Sequence, residues 1–234
     1  METILKNLAV KLNIELSDEQ VSKFFKYKDL LIETNRYMNL TSITDDKEIL
    51  LKHFIDSLTI NKYVNKDARL IDVGTGAGFP GIPIKIMRDD VGVTLLDSLN
   101  KRVNFLNTVI TDLNLKNIIT IHGRAEDVAR IKEYRENYDY VTARAVANLA
   151  TLSELCIPFL KVGGSFICMK AGIEEELDLA RNAIKILGGE IISVDKFVLP
   201  ESGIERNIII IKKIKSTDNK YPRKAGMPAK NPIV

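Results

Sequence analysis

Four glycines, Gly74, Gly76, Gly78 and Gly81, crowd into the stretch LIDVGTGAGFPG that begins at Leu70, and an acid, Asp72, stands two residues ahead of the first of them. This spacing suits binding. Glycine tolerates positive φ and lets a ligand approach the backbone with no Cβ in the way, and the N–H groups of a following helix attract polar or anionic groups. A second acid, Asp97, ends the apolar run from Val91, about 20 residues on, where such a unit sets a carboxylate against ribose hydroxyls. Asp97 could instead cap the next helix, a task also open to Ser98. Glu126, in HGRAEDV, could accept from an adenine amino group, or could serve only as a first-turn acid favoured by the helix dipole. Arg144 ends an apolar strand between alanines, and a charge there demands a partner, which makes it a site candidate. Groups for other chemistry are scarce. His53 and His122 have no clustered acids, so no metal site is expected. Cys156 and Cys168 form no C-x-x-C pair and read as reduced core thiols.

The elements that must hold these residues follow from hydrophobic period. From Ala68 onward strands and helices alternate, the pattern of a parallel sheet covered on both faces. Strands are expected at 68–73, 91–97, 117–122, 138–143, 163–169, 190–198 and 206–213, and helices near 80–88, 99–114, 147–158 and 174–187. The last two strands meet across Pro200-Glu201-Ser202-Gly203 with no helix between, so an antiparallel hairpin should close one edge. The glycine loop, HGRAED and the segment after Arg144 all fall at carboxyl ends of strands, the rim where open α/β sheets bind ligands.

Upstream, Ile4, Leu5, Leu8, Ala9 and Leu12 recur at helical spacing, and Ser17 with Gln20 resembles a capping box opening a second helix. The segment from Asn35 to Thr41 breaks the period. A third helix from about Asp46 carries Ile49, Leu50, His53, Phe54 and Leu58, with His53 and Asp56 expected as polar groups on its surface near a domain junction. The chain thus divides into a helical extension (1–64), an α/β domain (65–214) and a basic tail (215–234).

Composition is that of a globular protein: 45% apolar and 28% charged over 234 residues. There is no run of 18 apolar residues, and METILKNLAVKLNIEL interleaves Lys6, Asn7, Lys11 and Asn13 with its apolar positions. No membrane span or signal peptide is expected, and a cytoplasmic location is. Residues 1–66 hold 10 basic and 10 acidic side chains, 67–211 hold 17 and 20, and 212–234 hold 7 and 1. The tail is therefore the part that could seek a polyanion. It could also be a solvated, disordered end, although Pro222, Pro228 and Pro232 favour an extended path.

Two cofactor motifs overlap in the glycine loop. Gly76-x-Gly78-x-x-Gly81 fits the dinucleotide fingerprint and would make the protein an NAD(P)-dependent oxidoreductase. Gly74-x-Gly76-x-Gly78 behind Asp72 resembles motif I of the Rossmann-like, S-adenosylmethionine-dependent methyltransferases. Asp72 would be unwelcome beside a pyrophosphate but could stabilise the loop or meet the amino group of a methionine moiety, and Pro80 and Pro83 remove N–H donors from the helix start. A seven-stranded, mostly parallel sheet with a terminal reversal also looks like the class I methyltransferase fold.

Taken together, LIDVGTGAGFPGIPIKI, LLDSLNKRVNFL, HGRAED, ARAVANL, NRYMNLTSI, LLKHFIDSL and YPRKAGMPAKNPI resemble the bacterial 16S ribosomal RNA guanine-N7 methyltransferases, formerly glucose-inhibited division protein B, over essentially the whole chain. The resemblance implies S-adenosylmethionine contacts at Gly74, Phe79, Ala125, Glu126 and Arg144, with Asp97 as the ribose acid. It implies a guanine of 16S rRNA in the small ribosomal subunit as substrate. Ala225 and Met227 depart from the family's tail pattern, in which proline and threonine are usual. Guanine N7 has a lone pair and no proton, so alignment within about 3 to 3.5 Å replaces a general base, and Arg144 is expected to position rather than to exchange protons. The loop after the fourth strand reads Thr142-Ala143-Arg144-Ala145, unlike the D/N-P-P-Y/F loop of amino-group methylation. In the tail, Arg223, Lys224 and Lys230 are the candidates for RNA phosphates, and a monomer is expected.

Overall fold

The computed structural model describes residues 1–144, 147–173 and 176–233. Its centre is a seven-stranded sheet: β1 Arg69–Val73, β2 Gly92–Asp97, β3 Ile118–His122, β4 Tyr138–Arg144, β5 Leu160–Lys170, β6 Gly189–Val198 and β7 Glu205–Lys213, in the order β3-β2-β1-β4-β5-β7-β6. The first five strands run parallel, and β7 lies antiparallel between β5 and β6. This is the expected fold, reversal included. Pairings such as Val73 with Leu96, Asp97 with His122 and Arg144 with Met169 bring the carboxyl ends of β1 to β5 to one rim.

Successive strand residues face opposite layers. Leu70 joins a core built with the N-terminal helices, α5 Gly81–Met87 and α6 Asn100–Asp112, whereas Ile71 joins a core built with α8 Leu149–Cys156 and α9 Glu176–Ile186. With both faces covered, β1 and β2 are buried almost throughout, which is why they read as continuous apolar runs rather than alternating ones.

The N-terminal helices are α1 Glu2–Val10 and α2 Asp18–Met38, the latter opened by the reciprocal Ser17–Gln20 capping box. Helix α2 runs four residues into the segment where the period breaks, to Met38, and stops where Asn39 turns left-handed at φ 51°. The next helix is not regular: α3 Asp46–Glu48 passes into a π-helical segment, Ile49–Ile55, and then into α4 Asp56–Leu58. Phe24, Tyr27, Phe54 and Phe79 form a chain of ring contacts from this layer to the glycine loop, and the Tyr27 hydroxyl donates to the Ala77 carbonyl. A short helix, α7 Ala125–Val128, occupies what read as loop.

The tail is ordered against the α8 side of the sheet. Pro222 and Pro228 are buried, Met227–Lys230 forms α10, and Tyr221 and Ile233 pack on the adjoining core.

Candidate active site

The glycine loop has the backbone its sequence calls for: φ is 69° at Gly74, 62° at Gly76 and 105° at Gly78. A Cβ on Gly76 would meet nothing within 4 Å, so the turn opens there onto free space, whereas one on Gly78 would collide with Ile82 and Tyr27. Most amides of the loop are engaged inside the chain. Gly74 and Thr75 donate to the Leu96 carbonyl, Gly76 to Asp97, Gly78 and Phe79 to the Thr75 carbonyl, and Gly81 to Asp72. A pyrophosphate needs such amides free, which counts against the dinucleotide reading.

Asp72 is fully buried. Its Oδ2 accepts from Thr75 Oγ1 at 2.7 Å and from the Gly81 N–H at 2.8 Å, so it does stabilise the loop. Its Oδ1 is buried without a hydrogen-bond partner, a state shared among the described residues only by Asn207 Oδ1. Burial outweighs the two hydrogen bonds and pushes this carboxyl up to about 6. Asp97, 2% exposed, accepts from the Gly76 N–H through Oδ2 and from the Leu99 N–H through Oδ1, both at 2.9 Å, with Arg102 at 3.5 Å. It thus ties the glycine loop to the start of α6, and with Oδ2 taking both Gly76 and Arg102, Oδ1 keeps a lone pair for a further donor.

Arg144 is the centre of a buried polar cluster. Its guanidinium donates to the Lys52 carbonyl (3.0 Å), to Asp56 Oδ2 (3.2 Å) and to His53 Nδ1 (3.2 Å), and lies 5.0 Å over the Phe79 ring. Asp56 Oδ1 receives Arg206 at 3.1 Å. His53 stacks on Phe79 with ring centroids 4.4 Å apart, and its Nε2 meets Thr41 Oγ1 at 2.9 Å. Because Nδ1 accepts from Arg144, the ring is neutral with its proton on Nε2. Burial first, and the neighbouring guanidinium second, hold it down to about 3. Burial raises the Asp56 carboxyl, and Arg144 and Arg206 oppose the shift. His53 and Asp56 are 7% and 3% exposed, so their expected place on a helix surface is corrected. His53 lies in the π-helical segment and Asp56 directly follows it, in keeping with the frequency of such segments at functional sites.

Beside the cluster lies a cavity of about 610 Å³, lined by Lys52, His53, Asp56, Arg144, Lys170 and Arg206 among others. That is within the range of about 300 to 1,000 Å³ usual for ligand pockets. Arg144 therefore borders the glycine loop through Phe79 and the cavity directly.

Glu126 and Ala125 stand in α7 on the same rim, and Glu126 Oε1 accepts from the Gly226 N–H of the tail at 2.9 Å. Arg223 pairs with the fully buried Glu154 of α8 through Nε and Nη2 at 2.7 to 3.1 Å, while Lys224 and Lys230 are exposed. Arg223 is thus committed to a partner inside the protein.

The family described as GidB, rRNA small subunit methyltransferase G, matches residues 20–209. The chain is 52% identical over 236 residues to the ribosomal RNA small subunit methyltransferase G of Alkaliphilus oremlandii, covering 100% of this chain and 99% of that one. It is 56% identical over 221 residues to the protein of the same name from Acetivibrio thermocellus, covering 94% and 91%. The chain belongs to the GidB family. An Aquifex aeolicus SAM-dependent methyltransferase superposes with a TM-score of 0.57 at 15% identity over 75% of this chain and 97% of that one, a likeness of fold. TrmN from Thermus thermophilus gives 0.54 at 14% identity over 70% and 53%.

Membership in the GidB family makes the protein a methyltransferase, and the oxidoreductase alternative is overturned by this match and by the engaged loop amides. Of the residues singled out in the sequence, Asp72, Gly74, Gly76, Gly78, Phe79 and Asp97 share the glycine loop and its neighbour strand, Arg144 adjoins them through Phe79, and Ala125 and Glu126 stand farther along the rim. His53, Asp56 and Arg206 were missed as site residues. A signal existed for His53, which occupies the apolar stripe with Ile49, Leu50 and Phe54. Among the described residues there is no group of three or more His, Cys, Asp or Glu placed to hold a metal, and no helix long and apolar enough to cross a membrane.

Proposed function

We propose that this protein transfers the methyl group of S-adenosylmethionine to N7 of a guanine in 16S rRNA of the small ribosomal subunit. The residues present suit that cofactor. Gly76 leaves open space where a ligand can approach the backbone, Asp72 Oδ1 is a buried acceptor with no partner among the described residues, and Asp97 Oδ1 keeps acceptor capacity for a ribose hydroxyl. When bound, S-adenosylmethionine supplies an electrophilic methyl on a sulfonium. Gly74, Gly76, Gly78 and Phe79 would cradle it, and Ala125 and Glu126 would meet its adenine.

The observation that carries the acceptor reading is the cavity joined to the glycine loop by Arg144. Lys52, Lys170 and Arg206 on its wall, each paired with a carboxylate (Glu48, Glu176 and Asp56), are the cations an anionic nucleotide would compete for, and Arg144, fixed by His53 and Asp56, orients the base. Among the described residues of the wall the proton acceptors are engaged: His53 is neutral with both nitrogens bonded, Asp56 is held by two arginines, and Glu176 by Lys170 and the Leu149 N–H. An acceptor that needs no deprotonation, such as guanine N7, suits this site. A cytosine-C5 route would need a thiolate, but Cys156 and Cys168 are buried, the latter pushed up to about 12.

The test is methyl transfer from labelled S-adenosylmethionine to small subunits of cells lacking the gene, followed by nucleoside analysis. N7-methylguanosine is expected at one position of 16S rRNA. Label at another atom, or none, would refute the reading.

A further inference from the structure

The C-terminal tail is fastened to the protein at points that converge on the expected adenine contact. Arg130 Nη1 and Nη2 donate to the Asn219 and Lys220 carbonyls at 3.3 and 3.2 Å, and Arg135 Nη2 and Nη1 to those of Thr217 and Tyr221 at 2.8 Å, all from the segment that follows α7. From α8, Thr151 Oγ1 donates to the Pro228 carbonyl at 3.0 Å, and the buried Glu154 accepts the Arg223 N–H at 2.7 Å as well as its guanidinium. Arg223 Nη2 reaches the Asn231 carbonyl at 2.8 Å, closing 223–231 into a loop. Within that loop Gly226, at φ 82°, donates its N–H to Glu126 Oε1. Helix α7 has four residues, too few to be stable by its own hydrogen bonds, so the set of Glu126 depends on what packs on it.

We propose that the tail is a positioning strap for the cofactor site: Arg223, anchored on Glu154, holds Gly226 where its N–H fixes Glu126, leaving the second carboxylate oxygen for the adenine amino group. This rests on the reading that Glu126 meets adenine. Arg223 and Gly226 are then positioning residues that act on cofactor affinity from outside the pocket. A buried carboxylate such as Glu154 has no reason to sit in an apolar helix unless a cation is brought to it, and the cation brought is the one that locates the strap.

Calorimetric titration of the full chain with S-adenosylhomocysteine, without RNA, tests this. Arg223→Ala should weaken binding fivefold or more, raise KM for S-adenosylmethionine in parallel and leave kcat at saturating cofactor near the wild-type value. A loss of folded protein would lower kcat instead. Gly226→Ala forces a side chain into a left-handed turn where the added Cβ meets nothing within 4 Å, so it disturbs the turn alone and decides the matter if Arg223→Ala does not fold. On a Glu126→Ala background, Arg223→Ala should add no further loss. Wild-type affinity in folded Arg223→Ala and Gly226→Ala, or an equal loss with and without Glu126, overturns the strap. Failure of the wild-type chain to bind would strike the cofactor reading first, and the strap with it.

Discussion

Asp72→Asn should stabilise this protein at neutral pH and weaken its cofactor site, and both effects follow from one buried oxygen. Asp72 Oδ2 has two donors, while Oδ1 has none and no access to water. Burial lifts the carboxyl from 3.8 to about 6 in the folded state. With the folded value above the unfolded one, the native state binds more protons between the two, so the contribution to stability is fully present below about pH 4 and is lost as pH rises through 6. Two pKa units correspond to about 3 kcal/mol. Asparagine keeps the shape and the acceptor for Gly81 and Thr75 but cannot ionise. Urea unfolding of both proteins from pH 4 to 8 should give a stability difference that grows in favour of Asp72→Asn by about 3 kcal/mol and levels off above pH 7. A difference that does not change with pH would refute the reasoning, because it would mean that Asp72 ionises in the fold as easily as in the unfolded chain. Calorimetry with S-adenosylhomocysteine gives the other half: if the Asp72 charge, through the glycine loop, attracts the ligand's amino group, the more stable variant binds more weakly, a trade common at functional sites.

Gly76→Val should abolish S-adenosylhomocysteine binding while the fold survives, because φ of 62° strains a β-branched residue by roughly 1 to 3 kcal/mol and its side chain fills the open space; a normal ligand-induced thermal shift would reduce the loop to a structural turn. Asp97→Ala should lower cofactor affinity and also the melting temperature, since the Gly76 and Leu99 N–H groups each lose an acceptor at about 1 to 3 kcal/mol; unchanged affinity by calorimetry would remove the ribose role. Replacing the exposed Lys224 and Lys230 by alanine should reduce the salt slope of RNA binding by roughly 0.7 to 0.9 per lost phosphate contact, and identical slopes in a salt titration would move the RNA surface to other cations.

Strands and their order of direction were legible because the fold writes them locally: β-branched apolar runs, turn residues and a hairpin with no room for a helix. The capping box at Ser17 was legible for the same reason, since both of its hydrogen bonds join residues three apart. The π-helical segment was not, because an apolar stripe of the Ile49 to Leu58 kind is compatible with either winding. Nor were the partners of Arg144, which come from Lys52, His53 and Asp56, 88 to 92 residues away in the chain. Arg223 read as one more cation of a basic tail, and nothing near it in sequence announces Glu154, 69 residues upstream.

A common thread runs through the residues that mattered. Asp72 in a buried strand, Arg144 at an apolar strand end, His53 in an apolar stripe and Glu154 in LSELCIPFL are each a polar or charged group where the local pattern asks for an apolar one. Isolated burial of such a group is costly, so each must find a partner through the fold. Arg144 finds His53 and Asp56, Glu154 finds Arg223, and of these Asp72 is left with an oxygen unmatched among the described residues. Where the partners close on one another, the result is fixed geometry: a guanidinium held beside a cavity, or a tail held on a rim. Where a partner is missing among the described residues, as at the buried Asp72 Oδ1, the carboxylate stands in the strand that leads into the glycine turn, which opens onto free space at Gly76. The same reasoning separates the tail's cations. Arg223 is neutralised by Glu154 and fixes structure, whereas Lys224 and Lys230, exposed on either side of Gly226, retain the charge that an RNA phosphate would meet.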